Sequence, residues 1–205
     1  MSLSFIHHFD PGTNPSAPPL VLLHGTGGDE FDLVALGHKL SPGSALLSPR
    51  GKVSEHGANR FFARLAEGVF DPAEVTRRTH ELADFITAAV AEYHLDSKRL
   101  IAVGLSNGAN VAATMLQLRP GVIGGAVLFR PMVVLNQPAA AGTLTDQRVL
   151  ITSGTHDPIV PDDQPKRLAA LLTAGGAKVS VEMFPTGHGL VAGDLIVGQK
   201  FFADR

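Results

Sequence analysis

Cysteine is absent from the 205 residues, which removes disulfide scaffolds and thiol catalysis and fits a reducing interior. An excess of charge of one sign is also missing. The 17 basic and 19 acidic side chains leave a formal net charge of −2, without the electrostatic footprint of a nucleic-acid or anionic-membrane binder. The apolar runs are too short and too interrupted by glycine to span a bilayer. Met1 to His8 has no basic region followed by an apolar stretch, so no secretory signal is expected and the chain reads as cytoplasmic. There is no G-x-x-x-x-G-K-[ST], and Gly25-Thr26-Gly27 lacks the third glycine of a dinucleotide fingerprint. What is present, 44% hydrophobic and 18% charged, is the composition of a soluble globule. The length suits one domain, 1–205, burying roughly 70% of the surface its unfolded chain exposes.

The chain does have Gly104-Leu105-Ser106-Asn107-Gly108 directly after the apolar run Leu100-Ile101-Ala102-Val103. This is the G-x-S-x-G of a nucleophile elbow preceded by the strand it requires, and it makes Ser106 the candidate nucleophile. A serine hydroxyl needs a histidine to take its proton and a carboxylate to hold that imidazole. Where this elbow occurs the chain order is Ser, then acid, then His, and only His156 and His188 lie downstream. His188, between Gly187 and Gly189, is the better base, and Asp157 is the acid. Asp157 follows the apolar run Val149-Leu150-Ile151-Thr152 and His188 follows the alternating run Val179 to Phe184, so strands would deliver both into a common crevice.

Upstream, Leu20-Val21-Leu22-Leu23 opens into His24-Gly25-Thr26-Gly27-Gly28. A glycine-rich loop here would supply one oxyanion-hole donor, the Thr26 N–H, with the Asn107 N–H as the second. His24 reads as a strut for this loop. His7-His8 reads as structural, because adjacent strand residues point to opposite faces and cannot share a metal ion.

These blocks resemble the carboxylesterase/phospholipase-type branch of the serine α/β-hydrolases and are similar to acyl-protein thioesterases. The resemblance covers most of the chain: the His24-Gly25 loop, Gly104 to Gly108, Gly154 to Pro161, and Gly187-His188. It implies the same roles for Ser106, Asp157, His188, Thr26 and Asn107, and a homodimer. Arg50 to Gly57 and Arg60 to Asp71 resemble more narrowly a bacterial esterase subgroup associated with quinone and aromatic-compound stress. Leu105 and Asn107 stand where acyl-protein thioesterases tend to have Phe and Gln, a departure that argues against lipidated-protein substrates.

Strand-like runs near 3–9, 19–24, 44–48, 99–105, 122–129, 148–153 and 177–184 alternate with helical patterns, which predicts an α/β-hydrolase fold: a mainly parallel twisted sheet, helices on both faces, no separate cap. The clearest helix starts at Asp71-Pro72-Ala73-Glu74 and carries Val75, Leu82, Phe85, Ile86, Ala89, Val90 and Tyr93 on one face. A second should start near 163–165 with Leu168, Leu171 and Leu172, and a last one runs through Leu195, Ile196, Phe201 and Phe202. Residues 43–71 lack clean periodicity and are placed to roof the pocket. Candidates for substrate contact are Phe61, Phe62, Leu65, Phe70, Met132 and Val160, with core packing an equal alternative for the phenylalanines. Arg50, Arg60 and Arg130 would converge on the mouth to hold an anionic group, form structural ion pairs or stand solvated.

The expected function is a serine carboxylesterase that hydrolyses small to medium acyl esters through an acyl-enzyme, with no metal or organic cofactor required. Its substrate would be a small-molecule ester or thioester. An acyl thioesterase or lysophospholipase, a lactone or carbon–carbon hydrolase, and a non-catalytic ligand-binding member of the fold are the alternatives.

Overall fold

A computed structural model describes residues 3–204; Met1, Ser2 and Arg205, the ends of the expected 1–205 domain, lie outside the described residues. The elements in chain order are β1 (His7–Asp10), β2 (Leu20–Leu23), α1 (Val34–Leu40), β3 (Leu46–Pro49), β4 (Val53–Glu55), β5 (Ala58–Arg60), α2 (Pro72–Glu92), β6 (Ile101–Leu105), α3 (Asn107–Leu118), β7 (Gly125–Phe129), β8 (Arg148–Gly154), α4 (Gln164–Ala174), β9 (Lys178–Phe184) and α5 (Ala192–Ala203). Seven strands form one sheet in the order β1-β3-β2-β6-β7-β8-β9. Only β1 runs antiparallel to its neighbour. All seven strand runs expected from sequence are strands in this sheet, with boundaries shifted by a few residues.

The period of two along each strand divides the core into two layers. Val21, Leu23, Ala102, Ala126, Leu128 and Ile151 face a cluster that includes α2, α3 and α4 side chains such as Ile86, Val111 and Leu168. Leu20, Leu22, Ile101, Val103, Val127 and Phe129 face the other layer, where Leu40 of α1 and Phe201 of α5 pack. Both faces of the sheet are therefore covered by helices, the arrangement that mostly parallel sheets require. This is the α/β-hydrolase architecture, and no separate cap interrupts it.

Helix α2 starts as its sequence demands: the Asp71 carboxylate accepts from the Ala73 N–H at 2.9 Å, and Pro72 occupies the first helical position. Glu74 does not reach back to the cap; it pairs with Arg78 at 3.0 Å. Val75, Leu82, Phe85, Ile86 and Ala89 are buried as expected, with Val90 and Tyr93 partly buried beside them. Helix α5 runs through Leu195, Ile196, Phe201 and Phe202 as expected; Phe201 fills the core, while Ile196 is 64% exposed.

Helix α1 and the hairpin β4–β5 have no counterpart among the sequence expectations. The hairpin turns at His56 and Gly57, both at positive φ (52° and 87°), the backbone signature of a tight two-residue turn.

Chain connections set where a site can form. From β2 the chain moves to β3 on one side, then crosses back to β6 on the other, so β2 and β6 are neighbours at the point where strand order reverses. Loops leaving the C-terminal ends of such strands border an open crevice. The loop after β2 and the elbow after β6 are these loops.

Candidate active site

Ser106 stands between β6 and α3 with φ 50° and ψ −113°, a conformation that costs an L-residue of order 1–3 kcal/mol unless its surroundings enforce it. Its N–H donates to Phe129 O at 2.9 Å and its carbonyl accepts from the Asn110 N–H at 2.9 Å. The two motif glycines are steric requirements. A Cβ on Gly104 would lie 2.6 Å from Ala109 N, and one on Gly108 would lie 1.9 Å from Leu23 O. Helix α3 thus starts pressed against the end of β2, and the serine side chain is turned outward into the crevice.

Asp157 and His188 arrive from β8 and β9. The Asp157 side chain is fully buried; its Oδ1 accepts from the Ile159 and Val160 N–H groups at 2.8 and 3.1 Å. Its Oδ2 lies 2.8 Å from His188 Nδ1, and His188 Nε2 lies 3.0 Å from Ser106 Oγ. A carboxylate can only accept, so Nδ1 carries the imidazole proton and Nε2 is left to accept from the serine hydroxyl. Three residues spread over 82 positions of sequence form one continuous relay.

The His24 loop lies beside it. His24 is buried, with Nδ1 2.7 Å from Gly25 O and Nε2 accepting from the Gly51 N–H at 2.9 Å. Burial holds its pKa below the ordinary histidine value, so the neutral ring serves as the strut expected of it. Asn59 binds the loop from β5: its carbonyl accepts from the Gly27 N–H at 2.9 Å and its Nδ2 donates to Gly28 O at 2.9 Å. Arg60 Nη1 donates to Thr26 Oγ1 at 2.6 Å. Among the described residues, neither the Thr26 nor the Asn107 N–H donates to a protein acceptor, and the Asn107 N–H belongs to the first turn of α3, where the helix dipole favours negative charge.

The crevice is a cavity of about 390 Å³, and Thr26, Phe70, Ser106, Asn107, Met132 and His188 are among its lining residues. Six of the proposed contacts fall elsewhere. Phe61 and Phe62 are core residues, as their apolar bulk allowed. Val160 is buried, and its neighbour Ile159 lines the cavity instead. Leu65 projects outward at 73% exposure. Arg50 is held by Glu30 through Nη2 at 2.7 Å, and Arg130 is buried against Asp194; both are ion pairs. Arg60 does line the cavity, with Arg64 and Glu67. Their charges are matched: Arg60 and Arg64 both face Glu55, at 3.3 and 2.8 Å, and Arg64 also meets Glu67 at 2.9 Å. The convergent cationic mouth is therefore not formed.

Asn110 was missed, although it sits one helical turn beyond Ser106 and that spacing alone would place it over the crevice. Its Oδ1 accepts from the Met132 N–H at 2.8 Å, as Asn107 Oδ1 does from the Phe61 N–H at 2.7 Å. The elbow helix thus anchors the Met132 wall of the cavity and, on its other side, the core segment at Phe61.

The model of the dienelactone hydrolase family matches residues 58–198, more than half the chain. The chain belongs to that family. Its members are hydrolases, and the solved structures similar to it agree with the α/β-hydrolase architecture. The carboxylesterase of Bacillus cereus superposes with a TM-score of 0.94 at 39% identity, covering 98% of this chain and 94% of that one. A carboxylesterase from Mesorhizobium loti gives 0.92 at 29% identity, covering 100% and 97%. MhqD of Bacillus subtilis (strain 168), whose name assigns it only to the hydrolases, is 42% identical over 187 residues, 90% of each chain.

Proposed function

We propose that this member of the family is a serine carboxylesterase acting on small to medium acyl esters. The observation that carries this reading is the Asp157–His188–Ser106 relay, with links of 2.8 and 3.0 Å, opening onto the crevice. Ser106 Oγ attacks the acyl carbonyl as His188 Nε2 takes its proton. The carbonyl oxygen becomes an oxyanion that accepts from the Thr26 and Asn107 N–H groups. Collapse expels the alkoxide, which leaves as the alcohol with the proton from His188. Water, deprotonated by the same nitrogen, then attacks the acyl-enzyme and releases the carboxylic acid. Asp157 holds the ring and stabilises the imidazolium throughout.

The cavity volume, at the lower end for small-molecule pockets, supports a compact acyl group over a long lipid chain. The likeness to two carboxylesterases supports an ester over a thioester. We place the enzyme in the cytoplasm as a single domain; among the described residues no helix is long and apolar enough to cross a membrane. The homodimer implied by the family resemblance is read out by light scattering after size exclusion.

Labelling by a fluorophosphonate and turnover of p-nitrophenyl esters of graded acyl length test the reaction. Ser106→Ala should abolish labelling and lower turnover by roughly 10⁶, as should His188→Ala for turnover. Full activity in Ser106→Ala would refute the scheme.

A further inference from the structure

Arg130 takes no part in the acyl transfer, yet its position is costly in three ways. Its side chain is 0% exposed, and removing a guanidinium from water costs several kcal/mol before any partner is counted. Its φ is 55°, in the region that favours glycine. Its Nε is buried without a hydrogen-bond partner. Stability alone would favour glycine for the backbone and an apolar side chain for the space.

Its contacts indicate what these costs support. Nη1 donates to Thr152 Oγ1 at 2.9 Å and to Asp194 Oδ1 at 2.8 Å; Nη2 donates to Asp194 Oδ2 at 2.7 Å and to Gly189 O at 2.8 Å. Asp194 also accepts from the Thr152 hydroxyl at 2.5 Å and the Val191 N–H at 2.8 Å. Gly189 is the residue after His188. On its other side the histidine loop is tied by main-chain bonds, with the Thr186 carbonyl accepting from the His156 N–H at 3.0 Å. Beyond His188 apolar packing is thin: a Cβ on Gly189 would meet nothing within 4 Å, and Leu190 and Val191 are exposed. Polar anchors replace it.

The same turn reaches the other two arms of the relay. Phe129 O receives the Ser106 N–H, and the Arg130 N–H donates at 2.8 Å to Thr152 O on β8, the strand that leads to Asp157. Residues 129 and 130 therefore touch all three approaches.

We propose that Arg130, paired with Asp194, is a positioning residue that clamps the segment Gly189–Val191 and so keeps His188 Nε2 within reach of Ser106 Oγ. This rests on the roles proposed above for Ser106 and His188.

Arg130→Gly is the primary test, because glycine suits the backbone and leaves space for the lost group. Displacement of a catalytic group by about 1 Å costs about 10²-fold, so kcat should fall on that order with KM nearly unchanged, in protein shown by circular dichroism to be folded. Millimolar guanidinium chloride, far below denaturing concentrations, should restore much of the loss, while equimolar urea should not. Asp194→Asn is the second variant, with the same selective fall in kcat. A folded variant of either kind with wild-type kcat, or an Arg130→Gly defect that guanidinium leaves untouched, would overturn the clamp. If Ser106→Ala is inactive while folded Arg130→Gly is fully active, only the clamp fails; if Ser106→Ala is active, the reading of the site fails with it.

Discussion

Replacing Asp157 with asparagine exchanges one oxygen for an NH2 group, and the surroundings dictate which one. The Ile159 and Val160 N–H groups both point at Oδ1, so only an oxygen can remain there. The new NH2 must then face His188 Nδ1. A donor in that place makes Nδ1 the acceptor and moves the ring proton to Nε2, which can no longer take the serine proton. The flipped amide would leave two buried N–H donors unpaired, at about 1–3 kcal/mol each; even about 3 kcal/mol in total holds that form near 1% of molecules. The wrong tautomer costs about 10⁴ in kcat where it has been imposed in a serine hydrolase, or about 5.5 kcal/mol of barrier, so the flipped form at about 1% carries most of the remaining activity and kcat falls by about 10² overall. Hydrolysis of p-nitrophenyl acetate at neutral pH measures the loss, and a thermal melt checks that the fold survives. A folded Asp157→Asn enzyme keeping more than about a tenth of wild-type kcat/KM would refute the orientation argument.

Asn107→Ala should remove the acceptor of the Phe61 N–H while keeping the proposed oxyanion donor in the main chain. Stability by urea titration should fall by about 1–3 kcal/mol, with turnover reduced less than about tenfold; a larger kinetic loss would give the side chain a chemical role. Gly108→Ala drives a Cβ into Leu23 O and should cost about 3 kcal/mol, a fall of about 6–12 °C in melting temperature; a neutral result would mean that α3 can shift. His24 contributes pH dependence. Burial keeps its folded pKa below the unfolded value of 6.5, so the unfolded chain binds the extra proton first. The contribution of His24 is complete above pH 6.5 and is lost as pH falls through its lowered folded pKa. The stability gap between wild type and His24→Gln should therefore narrow from pH 7.5 to pH 5.5, and a constant gap would contradict the neutral strut.

Site residues with a local signature were legible in the sequence. Ser106 carries the elbow glycines, Asp157 follows an apolar strand and His188 an alternating one, in the order the elbow demands, so strand recognition alone places them at one end of the sheet. Arg50 and Arg130 were not legible, because what settles an arginine is its partner, and Glu30 and Asp194 lie 20 and 64 positions away. Apolar character placed Phe61 and Phe62 near the crevice but could not choose between the two sides of the same wall. At Val160 the error is one residue: the Asp157 turn buries Val160 and leaves Ile159 on the cavity. The three-residue strands β4 and β5 are too short for alternation to register, although His56-Gly57 is a turn signal.

Among the described residues the hairpin β4–β5 pairs only with itself and shares no ladder with the seven-stranded sheet. It nevertheless holds Gly27 and Gly28 and leads into the stretch that carries Arg64, Glu67 and Phe70 along the cavity. Remodelling of this lobe therefore leaves the strands beneath Ser106, Asp157 and His188 in register. Substrate preference can drift in this protein through exchanges between Arg64 and Phe70, the part of the lobe that lines the cavity without holding the glycine loop, while the hydrolytic machinery stays inherited from the sheet.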